Sequence, residues 1–182
     1  MDCFKNYVKL CEADPTKEII AMTDITHTKA ESPDIHPILP FLVPLERALS
    51  PLADPLIRIT TGLLLLPHGA QKLFGAFGGY GLEATGQFFA SKLGLPASLA
   101  LIAGLIEFFG GIALALGFLT RPSAALIAGM MAVAVFAVHL GLGFFWTEGG
   151  FEYPLFWGIV ALYFVIRGGG SYSLDHLIGY EF

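Results

Sequence analysis

The chain reads as an all-α, polytopic membrane protein, a four-helix bundle with an extra short amphipathic helix between its first and second spans. Three observations predict this. Of 182 residues, 55% are hydrophobic and only 14% are charged, against about 25% charged in ordinary soluble domains. The apolar residues are gathered into four long runs. The ionisable residues of the first run share one helix face, as groups turned away from lipid must. The net charge of −5 leaves no basic footprint, so nucleic acid is set aside as a partner.

Residues 1–50 form a polar, proline-punctuated extension, and residues 51–182 form the membrane domain. No apolar segment of signal-peptide type follows the early lysines. The run Met22-Thr-Asp-Ile-Thr-His looks like an ordinary bacterial start, which makes Met22 an alternative to Met1. Cys3 and Cys11 have no histidine beside them and read as reduced cytoplasmic thiols, with a redox pair as the alternative. Pro33, Pro37, Pro40, Pro44, Pro51 and Pro55 argue against a long helix on the approach to the membrane. Residues 41–53 mix Phe, Leu and Val with Glu46 and Arg47. They read as a segment lying along the membrane surface, a disordered linker being the alternative.

The spans are placed at about 56–74, 97–119, 123–145 and 153–168. The first three meet the ~20 residues a crossing requires, and the fourth is short. Four crossings put both termini on one side. Lys29, Arg47, Arg121 and Arg167 make that side cytoplasmic by the excess of basic residues on inner loops. Between the first two spans a glycine-rich stretch, 75–81, leads into residues 85–95, which read as a short amphipathic helix capping the bundle at its outer surface.

The chemistry gathers on the first span. At ~100° per residue, Arg58, Thr61, Leu65, His68 and Lys72 fall on one face, with Pro67 a source of kinking. Glu107 sits mid-way along the second span, flanked by Ala103, Gly104, Gly110 and Gly111. Small residues let a neighbouring helix approach closely, so Glu107 belongs in a tight helix contact. At ~1.5 Å per residue, His68 and His139 lie about 9 Å inside the outer end, Glu107 about 15 Å and Arg58 about 24 Å. Arg58 is one geometrically suitable partner for Glu107, and His68 or Lys72 is the competitor. Such a pair that only fixes helix packing is the plain alternative to a site. Glu148 and Glu152 would form an acidic rim at the outer loop. No metal site is expected, since no paired histidines at ligand spacing occur. A polar ring suits the outer half of this cavity, because quinone oxygens accept hydrogen bonds from His or Lys and a carboxylate exchanges protons. Haem-ligand, iron–sulfur and dinucleotide patterns are absent from the sequence.

Several motifs resemble one family. His68-Gly-Ala-Gln-Lys72-Leu-Phe-Gly is similar to the end of the first span in the DoxX family of small four-helix membrane proteins. Glu107-Phe-Phe-Gly-Gly-Ile-Ala-Leu-Ala-Leu-Gly-Phe-Leu-Thr-Arg121 is similar to its second span and turn. Gly149-Gly-Phe-Glu152-Tyr153 and Gly168-Gly-Gly-Ser-Tyr-Ser-Leu-Asp175 also fit. The resemblance covers about residues 52–178 and leaves the N-terminal extension aside. The expected location is the bacterial inner membrane, multi-pass, with both termini cytoplasmic. The resemblance implies either of two roles. One is an accessory subunit of a respiratory or sulfur-oxidising, quinone-linked oxidoreductase system. The other is a structural or assembly subunit of a larger membrane complex, without catalysis of its own. The expected partners are the bilayer and other membrane or cytoplasmic subunits. The expected ligand is a quinone, not covalently bound, at His68, Lys72, Glu107, His139 and Arg58.

Overall fold

The computed structural model describes residues 36–180, so the features read at Cys3, Cys11, Met22 and Lys29 lie outside the described residues. The chain divides into two units, 1–43 and 44–182. Among the described residues the main helices are α1 (Val43–Phe74), α2 (Gly81–Lys92), α3 (Leu99–Leu116), α4 (Thr120–Leu142), α5 (Glu152–Arg167) and α6 (Leu174–Ile178). Among the described residues there is no strand. The fold is all-α and membrane-embedded, as its composition requires.

The largest departure from the sequence reading is the length of α1. It runs for 32 residues through Pro51, Pro55 and Pro67. A separate surface segment at 41–53 is therefore replaced by a continuous helix. An interior proline removes one backbone hydrogen bond and bends a helix, and a membrane helix tolerates this where neighbours satisfy the freed carbonyl. At 1.5 Å per residue α1 is about 48 Å long, well beyond the ~30 Å hydrocarbon core.

Helices α1, α3 and α4 are long and apolar enough to cross a bilayer. Helix α5, at 16 residues, spans only about 24 Å. Helix α4 begins at Thr120, so Arg121 and Pro122 lie in its first turn rather than outside it. Proline is accepted there because the amide it lacks has no intrahelical partner.

Glycines set the spacing between α1 and α3. A Cβ on Gly62 would collide with the Gly111 carbonyl, and one on Gly111 would come within 2.8 Å of the Gly62 carbonyl. A Cβ on Gly69 would reach within 2.8 Å of the Phe108 Cβ. The two backbones thus touch along more than two turns, the close approach small residues permit in lipid. The buried core lies deeper, where Leu65 and Leu114 meet Ala124, Ile127 and Met131 of α4 and Ala161 and Phe164 of α5.

Candidate functional site

The α1–α3 contact leads directly to the site. Lys72, in the last turn of α1, donates from Nζ to both carboxylate oxygens of Glu107, at 2.8 and 2.6 Å. Glu107 is 7% exposed. A buried carboxylate without a partner is costly, and this two-oxygen contact with an ammonium supplies the compensation. Gly104 packs against Leu73 and Lys72, which brings the two helix faces close enough for the pair to form.

Beside the pair lies an open cavity of about 1150 Å³, bounded by α1, α2, α3, α4 and the start of α5. His68, Lys72, Glu107 and His139 all line it. The rest of its wall is mostly aliphatic and aromatic, including Phe88 and Phe89 of α2. His139 Nδ1 lies 2.5 Å from the Gly149 carbonyl. A carbonyl only accepts, so Nδ1 carries the hydrogen.

Arg58 belongs elsewhere. It is 1% exposed, is not part of the cavity wall, and donates through Nη1 to the Gly169 carbonyl and through Nη2 to the Tyr172 carbonyl at 2.6 Å. The bare Cα of Gly117 makes room for its guanidinium. The Arg58–Glu107 pairing considered from the sequence is thereby replaced by Lys72–Glu107. Glu148 and Glu152 are not part of the cavity wall, although their neighbours Trp146, Gly149 and Tyr153 are. Glu152 accepts instead from the Trp146 amide at 3.2 Å.

Two features escaped the sequence reading. Glu107 lies on a π-turn, Ile106–Gly110, and His139 closes a second, Ala134–His139. Such widened turns occur disproportionately at functional sites. The other feature is aromatic. Trp146 and Tyr153 stack at 5.0 Å and 5°, and both line the cavity with Trp157. Their proximity in the sequence signalled a membrane boundary but not a wall of the site. Among the described residues no group of three or more His, Cys, Asp or Glu is arranged to hold a metal ion.

The fold and site together define a small helical membrane protein with an ion pair set into an apolar, aromatic-walled cavity. Comparison with known proteins gives this class its family. The DoxX family profile matches residues 53–140. An uncharacterized protein of Haemophilus influenzae is 36% identical over 123 residues, covering 66% of this chain and 86% of that one. The "Putative oxidoreductase CatD" of Bacillus subtilis is 30% identical over 68% of this chain and 84% of its own. "Inner membrane protein YqjF" of Escherichia coli is 30% identical over 66% and 88%. The chain belongs to the DoxX family. No solved structure matches it. The matched stretch spans the positions of His68, Lys72, Glu107 and His139 in this chain and ends before α5.

Proposed function

We propose that the protein is an inner-membrane subunit of a quinone-linked oxidoreductase system and that the cavity beside Lys72 and Glu107 receives the quinone ring. The observation that carries this reading is the placement of one ion pair and two imidazoles in a cavity otherwise walled by apolar and aromatic side chains. Pockets of this kind, with a few convergent polar groups, are the usual form of a small-molecule site. The names of the Bacillus subtilis and Escherichia coli relatives agree with an oxidoreductase setting and with the inner membrane.

The donor set fits a ring bearing two carbonyl oxygens. Lys72 and His68 offer donors, and the flat Trp146–Tyr153 stack offers a planar wall. A bound quinone supplies two-electron, two-proton chemistry, with the electrons exchanged through a partner subunit. Glu107 is the group in this chain that takes up or releases the protons, and Lys72 holds its charge in an otherwise apolar setting.

A photoreactive quinone analogue tests this in native membranes. Labelling should map to α1, α3 or the α5 start and should fall at least tenfold in Glu107→Gln and His68→Ala. Labelling unchanged in both variants would remove the proposal and leave the assembly-subunit role in its place.

A further inference from the structure

The cavity is larger than a ring needs, and its excess volume has a direction. Along α4 its wall runs from His139 down to Ala125, about 20 Å at the helical rise. The ionisable groups all lie at one end or at the level of Glu107. Ile127 approaches Gly110 to within 3.7 Å of where a side chain would begin, so Ala125 and Leu126 lie about a turn beyond Glu107, away from Lys72. That far stretch is lined by Ala125 and Leu126, and the wall facing Glu107 is continued by Gly129 and Met130 of α4 and Ile106 of α3, with no polar side chain among them.

It is also open at the side. Leu126 is 57% exposed, Val133 50% and Ile102 49%, although each lines the cavity. Nothing lies within 4 Å of the position a Gly129 Cβ would take. In a bilayer this opening between α3 and α4 faces hydrocarbon, at mid-span.

From this geometry we infer that the ligand is a long-tailed amphiphile whose tail lies in the α3–α4 groove and passes out to the lipid beside Gly129. The inference rests on the ring-binding reading above and adds the substrate class: a quinone carrying an aliphatic or isoprenoid chain. A tail moving from lipid to this groove exchanges one apolar environment for another. The groove therefore supplies a route for the tail, while the polar end holds the ring.

The test compares two photoreactive benzoquinones, one with a decyl tail and one with only a methyl group, on the full-length protein in detergent micelles. Gly129→Phe fills the opening, and Ala125→Phe fills the groove a turn away. Thermal unfolding confirms that each variant is folded, and either one suffices. Labelling by the decyl compound should fall at least tenfold in the variants while labelling by the methyl compound stays within twofold. Unchanged decyl labelling in both folded variants would overturn the groove assignment, as would equal loss of both compounds. Wild-type protein that neither compound labels would instead remove the ring-binding reading itself, and the groove assignment with it.

Discussion

At the scale of single residues, the buried charge of Glu107 depends on Lys72. Removing one partner of a buried pair leaves an uncompensated charge, at ~3–5 kcal/mol. The Lys72 side chain retains 24% exposure, which places both single variants at the low end of that range. Lys72→Ala and Glu107→Ala should each destabilise the detergent-solubilised protein by about 3 kcal/mol. The double variant should cost less than the sum by about 0.5–3 kcal/mol. Arg58→Ala shares no hydrogen-bond partner with Glu107, so those two losses should add to within about 0.5 kcal/mol. Chemical unfolding of the three single variants and the two double variants, beside the wild type, checks both statements. The burial of Glu107 was legible in the sequence, because its flanking glycines require a close helix neighbour. The choice of Lys72 over Arg58 was not. It is settled by carbonyls 111 and 114 residues along the chain from Arg58, in a turn whose position no helical periodicity reports.

At the scale of elements, α4 is started by a residue from the other end of the sequence. Asp175 accepts from the amides of Leu119 and Thr120 at 2.7 and 2.8 Å and from Thr120 Oγ1 at 2.6 Å. The first amides of a helix lack intrahelical partners, and Asp175 supplies the acceptor that a local capping residue would otherwise provide. Leu119, held at φ 46°, is in a conformation that side-chain-bearing residues seldom adopt, and the carboxylate fixes it there. Asp175→Ala should therefore lower stability by about 2–3 kcal/mol, the scale of hydrogen bonds to a charged acceptor, and Asp175→Asn by less. Differential scanning fluorimetry in detergent measures both. The apolar runs announced α3, α4 and α5 to within a few residues. The start of α1 was hidden, because proline density argues locally against a helix, while packing within the bundle decides otherwise.

At the scale of the whole molecule, the open question is the crossing of α5. Its ~24 Å is less than the hydrocarbon thickness, and a short helix is accommodated by thinning the bilayer around it. The cytoplasmic position of both termini expected from the basic residues requires that crossing. Tyr80, at 87% exposure, and Tyr180, at 71%, are suitable reporters. With Cys3 and Cys11 replaced by serine, a membrane-impermeant maleimide applied to spheroplasts should label Tyr80→Cys and leave Tyr180→Cys unlabelled until lysis. Labelling of both before lysis would mean that α5 does not cross.

The two π-turns bear on how such a protein changes over time. A π-turn accommodates one residue more than the α-helical turn it replaces, so the helix on either side keeps its faces as if that residue were missing. In α3 the glycine contacts at Gly104 and Gly111 lie on either side of the turn Ile106–Gly110, and the contact of Phe108 with Gly69 lies within it. The inserted residue acts as a local frameshift confined to one turn. Single-residue gains and losses at these turns would then re-aim Glu107 or His139 and, in α3, shift the Phe108 contact with Gly69, while the flanking contacts at Gly104 and Gly111 stay in place.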